Sequence, residues 1–174
     1  MILKARDVCI LGVATASLTA VKLALSALAN VELVTVLLVY YTLALRSKAY
    51  FVANLFIAIE CFIYGLGLWV VYYVIHWNAT VTLAMILSRR GVKKSIFFAL
   101  WFALLTFLFG LQTTTIDIIV YSTVDNFFKV FITKYFMGLT FFATHIASVF
   151  VSVFVLLPPL SKIPIIKDGY IVKF

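Results

Sequence analysis

The stretch Lys22-Leu-Ala-Leu-Ser-Ala-Leu-Ala-Asn-Val-Glu-Leu-Val-Thr35 decides how the rest of the chain is read. It joins two apolar runs. A lysine lies inside the first run and a glutamate opens the second. Ionisable side chains are costly in hydrocarbon, and those that occur there usually mark a site. The runs on either side therefore read as membrane-embedded walls, and Lys22 and Glu32 as part of what the walls enclose.

Composition agrees. The chain has 174 residues, of which 66% are hydrophobic and 11% charged. Its mean hydropathy is +1.19. A soluble domain of this size has too little interior to hide so much apolar surface. The chain reads as one integral membrane domain over residues 1–174, an all-α membrane protein. The net charge of +8 does not point to nucleic acid, because the basic residues cluster between apolar runs rather than along one face. Cys9 and Cys61 both fall in apolar runs and read as free packing thiols. Lys4 and Arg6 precede an apolar run ending in Ala27-Leu28-Ala29, as in a signal peptide. Lys22 interrupts that run, and its length of about 33 Å suits a mature span.

Six spans follow, at about 8–29, 31–45, 49–69, 73–88, 95–119 and 136–157. Asn30 breaks the first run and is placed to cap the second helix, with Glu32 in its first turn. The second helix is short and reads as continuing past Arg46 into a charged turn. Tyr64-Gly-Leu-Gly-Leu-Trp69 ends the third helix, where glycines permit a tight turn. Gly110, Gln112 and Thr113–Thr115 predict a kink or early unwinding in the fifth. Residues 121–135 read as a connecting segment, with Asp125 in it, and Pro158-Pro159 as the end of the last helix. Asn78-Ala-Thr80 matches a glycosylation pattern but opens a helix, so it is set aside.

With the N-terminus inside, Lys4, Arg6, Arg46, Lys48, Arg89, Arg90, Lys93, Lys94, Lys162, Lys167 and Lys173 all face the cytoplasm. Only Lys129 and Lys134 lie outside, and Lys22 is within a helix. This asymmetry predicts an N-in, C-in six-helix bundle. No P-loop, metal-ligand spacing or nucleophile elbow is present, so the sequence points to neither a metal site nor a cofactor, and to a protein that is not an enzyme.

Counting from the predicted helix ends puts Lys22, Glu60 and His145 roughly 10–14 Å below the outer boundary, on three helices. Two readings stay open. Lys22 and Glu60 form a structural ion pair, with His145 bonded to a backbone carbonyl and Glu32 serving only a helix N-terminus. Or these groups line a substrate pocket beneath the turns at Asn30 and Trp69, with Tyr64, Trp69, Tyr72, Tyr73 and Trp77 as stacking surfaces, although each ring taken alone reads first as an anchor at the membrane interface. Asp117, nearer the outer end of its helix, divides the same way between surface and pocket. Ala16, Ala20 and Ala24 share one face of the first helix, where small residues let another helix approach, within the chain or from another subunit.

Asn30-Val-Glu-Leu-Val-Thr35 after an alanine-rich first helix, Glu60-Cys-Phe-Ile-Tyr-Gly-Leu-Gly-Leu-Trp69 and Tyr73-Val-Ile-His-Trp77 resemble the substrate-binding S components of energy-coupling factor transporters. The resemblance covers most of Val8–Arg90, and His145 with Leu156-Leu157-Pro158 is similar to the last helix of a subgroup. The outer part of helix five and the loop to Tyr135 depart from the pattern. The resemblance implies a bundle in a prokaryotic plasma membrane, in contact with membrane lipid, that captures a vitamin or vitamin precursor from outside. Its partners would be a transmembrane scaffold subunit and two cytoplasmic ATPases, with toppling of the bundle releasing substrate inward. The expected substrate residues are Lys22, Asn30, Glu32, Glu60, Tyr64, Trp69, Trp77 and His145, and the expected scaffold contact is Ala16, Ala20 and Ala24. Two other classes compete. One is a stand-alone small channel or lipid-handling protein. The other is a small membrane enzyme or cytochrome, which His76 and His145, read as about 10 Å or more apart, do not favour as axial haem ligands.

Overall fold

The computed structural model describes residues 4–121 and 126–163. Asp125, Lys167 and Lys173 lie outside the described residues. The described chain is helical throughout: α1 (Ala5–Ala24), α2 (Val34–Leu45), a 3-10 turn (Arg46–Lys48), α3 (Ala49–Tyr64), α4 (Trp69–Arg89), α5 (Ser95–Tyr121), α6 (Phe127–Met137) and α7 (Leu139–Leu160). Ala5–Ala24, Val34–Tyr64, Trp69–Arg89, Ser95–Tyr121 and Leu139–Leu160 are each long and apolar enough to cross a membrane. Large apolar side chains cover the outside, with Phe62 91% and Leu66 86% exposed. In water such a surface would aggregate; it fits a multi-pass membrane protein.

α2 is the centre of the bundle. Nine of its twelve residues are buried. One cluster joins it to α1, α3 and α4 through Leu11, Leu18, Leu38, Phe56, Trp77 and Val81. A second joins it to α4, α5 and α7 through Val36, Leu43, Ala84, Phe102, Val153 and Leu157. A helix apolar on every side is either buried or facing lipid; α2 is the first case and the outer helices are the second. At twelve residues it is about 18 Å long, shorter than a hydrocarbon core of about 30 Å.

Several boundaries correct the sequence reading. α1 starts three residues early, where Asp7 accepts the Lys4 N–H at 3.2 Å, and it stops at Ala24 instead of 29. Residues 25–30 run on as successive tight turns, with Leu28 N–H to Leu25 O at 2.9 Å and Val31 N–H to Leu28 O at 3.2 Å, and 31–33 lead into α2. Asn30, with φ 59°, ends this run rather than capping α2. The cap comes from Glu32, whose Oε2 accepts the Thr35 N–H at 3.0 Å. α2 does not continue past Arg46, whose φ of 56° turns the chain. α3 ends five residues early because Gly65, at φ 77°, leaves the helix there. Trp69 consequently opens α4.

Beyond α4 the differences are larger. α5 does not unwind at its threonines. Their hydroxyls donate back into the helix instead, Thr114 Oγ1 to Gly110 O at 2.9 Å and Thr115 Oγ1 to Leu111 O at 2.8 Å. Gly110 matters for packing, since a Cβ there would meet the Phe142 ring of α7 at 3.1 Å. Residues 127–135, read as a connection, form α6 together with Phe136 and Met137, read as the start of the last span. Phe127, Phe131 and Tyr135 stack at one-turn spacing, and Tyr135 stacks in turn on Phe142 with centroids 5.1 Å apart. Pro158 and Pro159 fall in the last turn of α7 instead of ending it. Asn78 lies well inside α4, paired with Asn54 of α3 at 3.0 Å.

Cross-links define the two ends. Lys48 pairs with Asp7 at 2.8 Å. Arg46 donates to Ser88 Oγ at 3.0 Å, and the Tyr40 hydroxyl donates to Ile163 O at 2.8 Å. The start of α1, the α2–α3 turn and the ends of α4 and α7 therefore meet at one end. Lys4, Arg6, Arg46, Lys48, Arg89, Arg90, Lys93, Lys94 and Lys162 gather there. The segments 25–33 and 65–68 lie at the other end.

Candidate functional site

At that other end is a cavity of about 690 Å³. The segment 25–33 forms one side. α4 forms another with Trp69, Tyr73, His76 and Trp77, and Lys22, Tyr64, Phe109 and His145 complete it. Trp69, Tyr73 and Trp77 recur every four residues, so α4 turns one aromatic face inward. The rings meet edge to face, with centroids 5.2 Å and 5.7 Å apart. Phe109 of α5 packs between the two histidines, 4.5 Å from His76 and 5.9 Å from His145 by centroid.

Of the eight substrate residues expected from sequence, seven line this cavity: Lys22, Asn30, Glu32, Tyr64, Trp69, Trp77 and His145. Glu60 stands behind them. It is fully buried and forms an ion pair with Lys22. Lys22 also donates to the Tyr73 hydroxyl at 3.0 Å. Its ammonium lies 4.7 Å from the Tyr73 ring centroid, 5.0 Å from that of Tyr64 and 5.8 Å from that of Phe56. An ammonium among ring faces is stabilised by their quadrupoles. The lysine is thus fixed from behind by a carboxylate and from the sides by aromatic faces.

Glu32 is held by α7. The Ser148 hydroxyl accepts the Glu32 N–H at 2.9 Å and lies 3.2 Å from the Glu32 carbonyl, to which it donates. One side chain thereby clasps both backbone polar groups of a residue in the segment over the cavity. His145, one turn earlier, places Nε2 3.7 Å from Glu32 Oε1. That is ion-pair range but too long for a hydrogen bond. His145 therefore faces a carboxylate, not the backbone carbonyl that one sequence reading gave it. Glu32 Oε1, His76 Nε2, Trp77 Nε1 and Glu60 Oε1 are buried without a hydrogen-bond partner. Buried polar atoms are rarely left so, and a group of them around a cavity is a reason to ask what completes them.

Sequence reading missed part of this site. Tyr73 was expected only as a stacking ring, yet its hydroxyl holds Lys22. His76 enters the sequence reading only in the Tyr73–Trp77 motif and as a disfavoured haem ligand, and nothing in the sequence marks Phe109 or the contact that Ser148 makes. The i, i+4, i+8 recurrence of Trp69, Tyr73 and Trp77 was the available clue to the aromatic wall. Tyr72, counted with that wall, points elsewhere: it is buried and its hydroxyl donates to Asp117. Among the described residues, no three His, Cys, Asp or Glu side chains gather as metal ligands. Cys9 is exposed instead of packed, and Cys61 is partly buried; both are free thiols.

Ala16, Ala20 and Ala24 are all exposed, and Gly12 continues their row one turn earlier. A Cβ on Gly12 would meet nothing within 4 Å. The row therefore does not serve contacts within the bundle. No family model matches the chain, and neither a curated protein nor a solved structure is significantly similar to it.

Proposed function

We propose that this protein is the substrate-capturing S component of an energy-coupling factor transporter. In this reading the bundle crosses a prokaryotic plasma membrane six times with both termini in the cytoplasm. A vitamin-like molecule enters the cavity from outside, and a scaffold subunit with two ATPases drives its release inward. One observation carries the reading. Seven residues expected from sequence to contact substrate, Lys22 and His145 for their depth in apolar runs and the others for their place in or beside the turns that resemble S components, line a single cavity at the end away from the basic cluster. Its volume of about 690 Å³ suits a small organic molecule. The exposed row Ala16, Ala20 and Ala24 supports the docking half of the reading, since small residues allow the close helix approach that membrane association uses.

The test is co-expression with the energy-coupling module of the host. The expected result is a stable complex and uptake that requires ATP. Transport or lipid movement in liposomes holding this chain alone would favour the stand-alone channel or lipid-handling reading instead.

A further inference from the structure

The charges around the cavity restrict what it can hold. The titratable groups in its wall are Lys22, Glu32, Tyr64, Tyr73, His76 and His145. Lys22 is already matched by Glu60 behind it. Glu32 is the carboxylate of that wall with no lysine or arginine paired to it, and the imidazole of His145 approaches it only to 3.7 Å. Its position favours the ionised form: the Thr35 N–H donates to Oε2 at 3.0 Å, at the N-terminus of α2. Its other oxygen, Oε1, has no donor, and the imidazole of His145 stops at 3.7 Å. A buried carboxylate oxygen without a donor is costly, and a donor carrying positive charge satisfies it best. The rest of the wall suits such a group. Tyr73 and Tyr64 already hold one ammonium, that of Lys22, over their faces. Trp69 and Phe109 add further aromatic surface to the same cavity.

Building on the substrate-pocket reading above, we propose that the cavity selects a planar aromatic cation, its charged N–H group on Glu32 and its ring against the aromatic wall. An anion of the same shape would meet Glu32 with like charge and find Lys22 already paired.

Three probes of one shape separate the possibilities: benzamidinium, benzamide and benzoate, positive, neutral and negative. Each is titrated by calorimetry into the isolated protein in nanodiscs. The expected order of affinity is benzamidinium, then benzamide, then benzoate. Glu32→Gln keeps an acceptor for Thr35 and removes the charge, and should weaken benzamidinium about tenfold or more while changing benzamide little. Benzoate binding as tightly as benzamidinium, no binding of benzamidinium, or a cation preference that survives in a folded Glu32→Gln would each overturn the proposal. Should that variant fail to fold, the order measured on the unaltered protein still decides. Failure here with intact co-assembly overturns the cation proposal alone. Failed co-assembly overturns the transporter reading, and the probe order remains a separate result.

Discussion

The Lys22 ammonium is held between a buried carboxylate and aromatic faces, and the two ends of that pair are unequal. The Lys22 side chain is 24% exposed, toward the cavity, whereas that of Glu60 is 0% exposed. Because Glu60 does not line the cavity, its first task is to hold Lys22. Glu60→Gln should therefore lower the melting temperature of the ligand-free protein and largely preserve the shift produced by a ligand. The loss should fall below the roughly 3–5 kcal/mol typical of a fully buried pair, since the freed ammonium can turn toward the cavity. The opposite pattern, unchanged stability with a lost ligand shift, would put Glu60 in direct contact with the ligand. Two readings of the sequence thus merge here, because Lys22 is both a member of a structural pair and part of the cavity wall. Their grouping was legible from sequence, but the depth ruler behind it was not sound. Lys22 lies two residues before the end of α1, Glu60 four before the end of α3, and His145 six after the start of α7. What survived is that costly polar groups in apolar helices seek one another, whichever residue ends each helix. His76 and Phe109 stayed hidden because a lone histidine or phenylalanine in an apolar run has no local mark of its neighbours.

At the scale of elements, the misread boundaries share a physical cause. Leucine and alanine favour helix, so 25–29 read as the end of α1. Tertiary contacts override that preference, because the clasp of Ser148 on Glu32 holds the segment across the cavity. The same clasp gives a prediction. Ser148→Ala leaves the N–H and carbonyl of Glu32 without their partner, at a cost of about 1–3 kcal/mol. The segment should open more often, so amide hydrogen exchange at residues 30–33 should quicken while that of buried α2 stays slow. Equal exchange in both proteins would show that the clasp contributes nothing to closure. α6 was missed for another reason. Its eleven residues carry two lysines and are too few for a span, and its stack of Phe127, Phe131 and Tyr135 gains meaning only against Phe142 of α7. The alanine row of α1 could be read as a row but not assigned a side; its exposure supplies the side. Ala20→Trp should leave the isolated protein within about 0.5 kcal/mol of its original stability, as exposed substitutions do. In the transporter reading it should also leave ligand binding intact and block complex formation, measured by co-purification. Lost binding with intact assembly would instead make the row an internal support.

For the whole molecule, the question is how the two ends of the bundle meet the two sides of the membrane. Nine described lysines and arginines gather at the end where the α2–α3 turn meets the start of α1 and the ends of α4 and α7. Cross-links such as Lys48 to Asp7 and Arg46 to Ser88 hold that end together. Lys129 and Lys134 lie on α6, which follows the far end of α5 in the chain and packs back along it, with Tyr135 against Phe107. That polarity was plain in the sequence, since the basic residues fall in alternate breaks between apolar runs, a pattern that needs no knowledge of packing. The number of crossings was less plain. α2 is only twelve residues long and enclosed by other helices, so hydropathy alone cannot separate a short crossing from a buried core helix. Orientation is testable independently of that count. Lys129 and Lys93 are both exposed and belong to opposite ends. In a chain whose own two cysteines are replaced, Lys129→Cys should react with a membrane-impermeant maleimide on intact cells. Lys93→Cys should react only after permeabilisation. If both label from outside, the bundle does not divide the two ends between the two sides. If only Lys93→Cys does, the cavity opens to the cytoplasm, and capture from outside could not be its task.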